Sequence, residues 1–288
     1  MKIGMVLEGG AKRGIYTAGV LDVLGEHGIY PDGVIGVSAG AIHGCSYVAG
    51  QNGRSIRYNL KYGNDYRFMS LRSWLKSGNV VDVDFCYHQL PENLDKFDND
   101  AFKASSTAFY VVCSNVETGE PEYIRCRDLA TEIDFLRASA SLPFLSKIVE
   151  AGNKKLLDGG TTDSIPLKAF ENMGYEKNIV ILTRPQGYRK KAAYNGWLAK
   201  MVYHGYAKFA EVIRNRHLMY NRELAYVEER KQAGKAFVIR PSRKATIGKM
   251  ERNPEKVLEM YALGRQDAEA ALPGLKAFAA GESVSQKA

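Results

Sequence analysis

The first half of the chain alternates short apolar runs with segments of helical periodicity. Residues 3–7 and 34–37 are apolar runs of strand length, and the apolar positions from Ile15 to Leu24 recur at near-helical spacing. A second helix, made of small residues, is expected from Ser38 to about Ala49. The order strand, loop, helix, strand, helix is typical of a parallel sheet with helices packed against it. We therefore predict an α/β fold in which helices flank both faces of a mostly parallel central sheet.

The middle of the chain continues this sheet after an interruption. Residues 51–104 have weak periodicity and many polar and aromatic positions, which indicates a helical excursion or cap over one edge of the sheet. The remaining predicted elements are a hairpin of strands at 107–114 and 122–126, helices at 129–138 and 167–173, and strands at 154–157 and 178–182.

Beyond Pro185 the spacing of apolar residues favours long helices. The predicted elements are one helix over 198–227, an edge strand at 237–239 and a last helix over 254–271 with Asn253 as its N-cap. We expect the chain to divide into a core domain at 1–185 and a mainly helical region at 186–288 that packs on this core.

The C-terminal region also carries the excess of positive charge. The 288-residue chain has a formal net charge of +8, and residues 187–265 contain 18 Lys and Arg against 7 Asp and Glu. Such a surface favours anionic partners: a phospholipid bilayer, a nucleic acid or an acidic substrate. Aromatic residues are interleaved with the charges, at Tyr188, Tyr194, Trp197, Tyr203 and Tyr206. A non-enzymatic protein that binds a membrane or a nucleic acid through these helices is therefore one open alternative.

The sequence also indicates the cellular location of the protein and whether it binds a metal. The first apolar run meets Glu8 at once, so no secretory signal is expected, and no apolar run approaches the ~20 residues that a membrane-spanning helix requires. The four cysteines form no C-x-x-C pair and have no histidines at zinc-site spacing. We expect a cytoplasmic protein with reduced thiols and with neither metal nor cofactor. The oligomeric state stays open.

A serine stands at the junction of the second strand and its helix. Gly36-Val37-Ser38-Ala39-Gly40 fits the pattern G-x-S-x-G, and in this setting the serine is forced onto a tight turn that exposes its hydroxyl above the sheet. Gly36 and Gly40 are needed because a side chain at either position would collide with the neighbouring strand or helix. The adjacent helix N-terminus stabilises negative charge. Ser38 is therefore a candidate nucleophile, or alternatively only the cap of the helix.

A glycine-rich loop, Gly9-Gly10-Ala11-Lys12-Arg13-Gly14, links the first strand to the first helix. Its backbone N–H groups can face an anion. A phosphate loop is not favoured, because Ile15-Tyr16 stands where Lys-Ser/Thr should follow and no G-x-G-x-x-G spacing exists. The other use is an oxyanion hole, in which each N–H donor would stabilise a tetrahedral intermediate by ~3 to 4 kcal/mol. A purely structural glycine turn is the remaining interpretation.

A serine nucleophile needs a base, and the usual one is histidine. His43 lies one helical turn past Ser38 on the same helix and cannot easily face its hydroxyl. The other histidines carry no local signature. A triad with His204 or His217 nevertheless stays open as an alternative.

A carboxylate offers a better candidate for the base. Asp158 stands at the carboxyl end of a predicted strand, directly before Gly159-Gly160, where the active sites of open parallel sheets lie. Partial desolvation would raise its pKa towards useful basicity. Asp158 is therefore the candidate general base, with Asp163 as the fallback.

Three motifs now stand in order: the loop at 9–14, the pentapeptide around Ser38, and Asp158-Gly159-Gly160. Together they resemble the patatin family of lipid acyl hydrolases, and specifically its bacterial members, over about residues 3–185. A fourth segment, Ala138-Ser139-Ala140-Ser141-Leu142-Pro143-Phe144, is similar to an Ala-Ser…Pro stretch that those proteins carry before the aspartate. One departure is Ala11, where many members have a third glycine. A backbone N–H survives this change.

The resemblance implies a three-layer catalytic domain at 1–185 and a Ser-Asp dyad without histidine, made by Ser38 and Asp158. It places the oxyanion hole in the loop from Gly9 to Gly14 and requires no metal. The implied activity is hydrolysis of carboxyl esters of lipids or phospholipids through an acyl-Ser38 intermediate. Nucleic acid is then not the expected partner, and the basic helices can make a peripheral contact with an anionic membrane at its inner face.

Overall fold

The computed structural model describes residues 1–193, 197–244 and 247–281. Tyr194, one of the aromatic residues of the basic region, lies outside these ranges. The described residues form an eight-stranded central sheet with helices on both sides. The predicted α/β fold, with helices on both faces of the sheet and a helical C-terminal region, is confirmed.

The sheet has a parallel centre and an antiparallel side. Its strands are β1 (Lys2–Leu7), β2 (Gly33–Val37), β3 (Ala108–Asn115), β4 (Pro121–Cys126), β5 (Val149–Ala151), β6 (Lys154–Asp158), β7 (Tyr175–Ile181) and β8 (Ala236–Ile239). The order across the sheet is β5-β6-β3-β2-β1-β7-β8, and β4 pairs with β3. The five strands from β3 to β8 in this order are parallel, whereas β4, β5 and β6 make antiparallel pairs. The carboxyl ends of β1 and β2 therefore share one edge, where open α/β sheets bind their ligands.

Ten α-helices are present in the described ranges. They are α1 (Ile15–Glu26), α2 (Ala39–Val48), α3 (Arg54–Tyr62), α4 (Leu71–Ser77), α5 (Asn99–Ala104), α6 (Leu129–Ser139), α7 (Leu167–Asn172), α8 (Leu198–Val202), α9 (Ala207–Gln232) and α10 (Pro254–Ala280). A π-helical segment occupies Phe85–Leu94 and 3-10 turns occupy Ala11–Gly14 and Gly159–Thr161. The segment 51–104 is thus largely helical, as predicted.

Alternating side chains bury both faces of the sheet. On β1, Met5 and Leu7 belong to one apolar core and Val6 to the other. Helices α1, α2, α6 and α10 close the first core, and α7 and α9 close the second. Because successive residues of a strand point to opposite faces, apolar residues at both alternations require a layer of helices on each side. The result is a three-layer molecule.

The last helix packs directly on the first. A Cβ atom at Gly19 of α1 would lie 2.2 Å from the carbonyl oxygen of Tyr261, and one at Gly264 of α10 would lie 2.1 Å from that of Tyr16. Only glycine allows two helix backbones to approach this closely. Since β8 also extends the sheet beside β7, the region after residue 185 is packed on the core, and the division at 185/186 stays a proposal.

The single helix predicted over 198–227 is wrong, because α8 and α9 are separated by residues 203–206. Tyr203 is buried at this break, and its ring packs edge to face on Phe144 at 5.6 Å and on Phe209 at 5.2 Å between centroids. This packing holds the chain off the helical path. The contact with Phe144 joins distant parts of the chain, so the local spacing of apolar residues could not predict it.

The last helix extends to Ala280 instead of ending at 271, although it contains Pro273. The residues that keep its last turns on the core are Leu272, Leu275 and Phe278. Asn253 caps its start, as predicted, by accepting a hydrogen bond of 2.8 Å from the Glu255 amide. In the described ranges, no helix has the length and apolar character needed to cross a membrane. Nor do these residues include a group of three or more His, Cys, Asp or Glu side chains placed to hold a metal ion.

Candidate active site

Ser38 occupies a strained turn between β2 and α2. Its φ of 54° and ψ of −122° lie in a region that L-residues rarely adopt. The turn depends on its flanking glycines: a Cβ at Gly36 would lie 2.5 Å from Ala41 Cα, and one at Gly40 would lie 2.5 Å from the Leu7 carbonyl oxygen. Close backbone contacts on both sides of the turn therefore fix its strained conformation. They hold the Ser38 hydroxyl at the edge of the sheet.

Asp158 is the last residue of β6, and the register of β3 brings it to Ser38. Val112 of β3 pairs with Val37, directly before the serine, and the next residue, Cys113, pairs with Asp158. A Cβ at Gly159 would lie only 2.1 Å from the Val112 carbonyl oxygen. The strand ends thus converge, and Ser38 and Asp158 line the same cleft, which has a volume of about 420 Å³.

The two oxygens of the Asp158 carboxyl differ in their surroundings. Oδ1 accepts a hydrogen bond of 2.8 Å from the Gly160 amide, whereas Oδ2 is buried and has no hydrogen-bond partner among the described residues. Burial raises the pKa of Asp158, and this is opposed first by the positive charge of Arg216 and then by the Ser38 hydroxyl and the Gly160 amide. The Ser38 hydroxyl thus influences the pKa of the carboxyl, while Oδ2 itself accepts no hydrogen bond from the described residues.

The glycine-rich loop lies against Ser38 with its first residues. A Cβ at Gly9 would lie 3.1 Å from Ser38 Cβ, and Ala11 adopts a φ of 49°. The amides of Gly9, Gly10 and Ala11 find no acceptor in the part of the chain that the structure describes. These three residues line the same cleft as Ser38, and their N–H groups are not used by the described protein.

The second half of the loop is engaged elsewhere. The Lys12 amide donates to the Lys249 carbonyl at 3.4 Å, and the Arg13 amide to the Gly10 carbonyl at 3.1 Å. The Lys12 amine turns away from the cleft, donates to Asn59 at 2.8 Å, and has its pKa lowered to about 8 mainly by burial. Gly14 packs against α2, since its Cβ would lie 2.6 Å from that of Ala39.

Two cavities of opposite character meet at Ser38. One, the apolar cavity, has a volume of about 440 Å³ and is walled largely by the segment 51–104 and by α6. Its apolar lining includes Ile15, Ile42, Phe68, Leu90, Ile133 and Leu136. The other is the cleft that contains Asp158, and the cationic side chains around it are Arg13, Arg184, Arg189, Lys190, Lys191, Arg216 and Lys249. We call it the cationic cleft. Ala11, Ser38 and Leu142 line both spaces, so the serine stands at their junction.

The alternative bases lie outside the cationic cleft. His43 is buried, contacts Ser55 Oγ at 2.9 Å through Nδ1, and has its pKa lowered to about 3, chiefly by burial. His204 and His217 each donate to a backbone carbonyl three residues earlier. Asp163 accepts a hydrogen bond of 2.7 Å from the Tyr123 hydroxyl. Of the candidates, only Asp158 shares the cleft with Ser38.

A family model described as patatin-like phospholipase matches residues 5–171. The chain belongs to the patatin-like phospholipase family. The resemblance predicted from the motifs is thereby confirmed, and membership supports a lipid hydrolase. A second model, a domain of unknown function named DUF6363, matches residues 206–280 of the C-terminal region.

Individual relatives of this patatin-like chain match it over part of their length. The uncharacterized protein YjjU of Escherichia coli strain K12 is 31% identical over 197 residues, which cover 64% of this chain and 52% of that protein. Lysophospholipase nte1 of Aspergillus terreus is 26% identical over 198 residues, which cover 65% of this chain and 12% of that protein. The crystal structure of VipD from Legionella pneumophila has 12% identity and a TM-score of 0.47, and covers 94% of this chain and 67% of that chain.

Reasoning from the residues alone did not predict two features of this patatin-like site. Ser139 accepts a hydrogen bond of 2.9 Å from the Ser38 amide, and only the resemblance of its segment pointed to it. Glu8 is buried beside the loop, where its carboxylate accepts from the Thr183 amide and the Tyr220 hydroxyl, each at 2.6 Å. The sequence shows the excess of Lys and Arg after residue 187, but it does not show that several of these side chains lie near Ser38.

Proposed function

We propose that the protein hydrolyses carboxyl esters of lipids through an acyl-Ser38 intermediate, with Asp158 as the general base. The observation that carries this proposal is the buried Oδ2 atom of Asp158, which has no hydrogen-bond partner among the described residues and lies in the same cleft as Ser38. Leaving a buried acceptor unpaired costs about 1–3 kcal/mol. Such an atom is typical of a functional site whose partner is supplied during the reaction.

In the acylation step, Ser38 Oγ attacks the ester carbonyl carbon while its proton moves to Asp158 Oδ2. The carbonyl oxygen gains negative charge and is stabilised by the free amides of Gly9, Gly10 and Ala11. The bond to the alcohol then breaks, and the leaving oxygen takes the proton from Asp158. Acyl-Ser38 remains.

Deacylation repeats these steps with water as the nucleophile. Asp158 accepts a proton from water as the water oxygen attacks the acyl-Ser38 carbonyl carbon, and the proton returns to Ser38 Oγ when the ester bond breaks. The products are the free acid and the restored hydroxyl. Because Lys12 and Arg13 use their amides within the protein, we limit the oxyanion hole to the first three residues of the predicted loop.

The two cavities indicate how a lipid ester lies in the site. With its carbonyl carbon at Ser38, the acyl chain extends into the apolar cavity and the alcohol part into the cationic cleft. Membership of the patatin-like phospholipase family and the similarity to lysophospholipases support a lipid substrate. We propose residues 1–185 as the catalytic domain and 186–288 as a region that completes its cleft.

We also propose peripheral contact with an anionic membrane beside the apolar cavity. Large apolar side chains are exposed on and next to α4 and α8, at Leu71, Leu75, Trp197, Met201 and Val202. The two helices flank Phe144, whose carbonyl accepts from Trp74 and whose amide donates to Tyr203. Exposed apolar groups in a basic protein suit the surface of anionic lipid. Leu71→Ser with Leu75→Ser should weaken flotation with anionic liposomes, whereas Leu218→Ser with Leu258→Ser should not.

The test of the hydrolase proposal is labelling by a fluorophosphonate followed by peptide mapping. We expect the label on Ser38, its loss in Ser38→Ala, and its retention in Ser106→Ala, which changes an exposed serine. Asp158→Asn should slow hydrolysis of a short-chain nitrophenyl ester by at least ~100-fold. Full activity of Ser38→Ala or Asp158→Asn overturns the proposal. Absence of labelling together with salt-sensitive binding to nucleic acid would favour the non-enzymatic alternative.

A further inference from the structure

The cationic cleft carries far more positive than negative charge. Seven Lys and Arg side chains line it, and the only carboxylates among its described lining residues are Glu8 and Asp158. Glu8 is already bound by the Thr183 amide and the Tyr220 hydroxyl. In the described ranges, none of the seven cations has a side-chain nitrogen within 4.0 Å of an Asp or Glu oxygen. The positive charge of this cleft therefore exceeds the negative charge that its two carboxylates can supply.

These cations are held close together by the fold. Lys190 lies over the Tyr220 ring with its amine 4.6 Å from the centroid, and Arg216 donates to the Gly160 carbonyl. The Arg13 Nε atom is buried without a partner in the described chain. Burial and the charges of Arg216 and Lys249 lower the pKa of Lys190 to about 7. Arg13, Arg184, Lys190 and Arg216 are partly buried, whereas Arg189, Lys191 and Lys249 are exposed. Crowded, partly buried cations favour a bound anion because it relieves their repulsion.

The position of this charge relative to Ser38 decides which part of a substrate meets it. The apolar cavity starts on one side of Ser38 and the cationic cleft on the other. An acyl chain in the apolar cavity therefore leaves the alcohol part of the ester among the cations. A phosphate on that part would find Arg and Lys donors, which bind phosphate oxygens well.

We propose that the cationic cleft is a head-group subsite that selects esters whose alcohol part bears a phosphate and no positive charge, that is, acidic phospholipids and lysophospholipids. This inference rests on the proposed function. Six of the seven cations lie after residue 171, where the patatin-like model ends. Arg216 and Lys249 lie within the segment of unknown function at 206–280. The subsite thus assigns that segment a role: it supplies substrate selectivity to a catalytic domain made by the preceding residues.

The test compares three single-chain esters with the same acyl group, kept monomeric: lysophosphatidylglycerol, lysophosphatidylcholine and uncharged monoacylglycerol. We expect kcat/KM to be at least about tenfold higher for the acidic lipid than for the zwitterionic one, and expect added salt to reduce this ratio. The double variant Lys190→Met and Lys249→Met should lower the ratio about tenfold. The matched control is Lys200→Met with Lys235→Met, which removes two exposed lysines outside the cleft and should leave the ratio unchanged.

Two further arms separate a head-group subsite from a site for free phosphate. Glycerol phosphate should inhibit hydrolysis of both lysophosphatidylglycerol and monoacylglycerol competitively and with the same inhibition constant, because the alcohol part of each lies in the cleft. A separate regulatory site for free phosphate would instead change kcat, and that result would overturn the proposal. A ratio near one in the wild-type protein also overturns it, as does an equal ratio in both double variants. If Ser38 is labelled by a fluorophosphonate in the same preparation, such a result refutes the subsite alone, while failure of labelling refutes the proposed function.

Discussion

The Ser38 amide donates a hydrogen bond of 2.9 Å to the Ser139 hydroxyl, although 101 positions separate the two residues. Ser139 is fully buried at the end of α6. The bond satisfies an N–H group that the strained turn would otherwise leave unpaired. Ser139 is therefore a positioning residue for the proposed nucleophile.

Replacing Ser139 by alanine tests this relationship. The Ser38 amide would lose its acceptor, which costs about 1–3 kcal/mol of stability and loosens the turn. We expect labelling of Ser38 by a fluorophosphonate to slow about tenfold, measured as a second-order rate constant. The control is Ser141→Ala, because Ser141 Oγ donates to the Arg137 carbonyl at 2.8 Å and not to the turn. Equal labelling rates in the two variants would contradict a positioning role.

The acid limb of the pH profile should report the Asp158 carboxyl. A general base works only when ionised, so kcat/KM for an uncharged ester should rise with pH and level off above the pKa of Asp158. Burial raises this pKa, and the charge of Arg216 is the main influence that opposes the rise. Arg216→Met should therefore move the acid limb to higher pH, and Arg216→Lys should move it less. An acid limb that does not move would argue against Asp158 as the titrating group.

A methyl group at Gly40 should disrupt the turn at Ser38. An added Cβ would lie 2.5 Å from the Leu7 carbonyl oxygen and 2.9 Å from that of Glu8. Since both contacts are to backbone, β1 or α2 has to shift, and we expect Gly40→Ala to lose about 1–3 kcal/mol of unfolding free energy together with esterase activity. Gly205→Ala is the control, because its Cβ meets nothing within 4 Å. Denaturant unfolding and ester turnover measure the two effects.

Asp163 and Glu223 form a partly buried, hydrogen-bonded carboxyl pair that should make stability depend on pH. Burial raises the pKa of Glu223 well above its usual value and the neighbouring Asp163 raises it further, while burial also raises the pKa of Asp163. The folded state therefore binds protons more tightly than the unfolded state. This contribution is fully present below pH ~4, the usual pKa of glutamate, and is lost as pH rises through the raised values.

Glu223→Gln should accordingly flatten the fall in stability on going from acidic to alkaline pH, because glutamine stays neutral. The measurement is the denaturation midpoint at several pH values. Glu120→Gln changes an exposed carboxylate. It should leave the dependence of the denaturation midpoint on pH the same as in the wild-type protein. If Glu223→Gln leaves the pH dependence of the denaturation midpoint unaltered, another group causes that dependence.

Most strands and helices were predictable because their signals are local. The apolar run at Lys2–Leu7 and the small-residue helix after Ser38 each follow from periodicity within about ten positions. Strand Val149–Ala151 was missed, since three residues are too few to show alternation. The break between α8 and α9 was missed because it depends on Tyr203 meeting Phe144, a contact between distant segments.

For the candidate site, the sequence alone determined which residue types stand at which strand ends: a serine after β2, an aspartate at the end of β6, and glycines beside both. The order of these motifs along the chain was enough to identify the resemblance to the patatin family. Only the tertiary structure decided that these ends converge, through the pairing of Val112 and Cys113 with their neighbours, and that cations scattered over residues 184–249 line the same cleft. The physical reason is that backbone propensity acts between near neighbours in the chain, whereas strand register and side-chain packing join positions that lie far apart in it, such as Val37 with Val112 and Cys113 with Asp158.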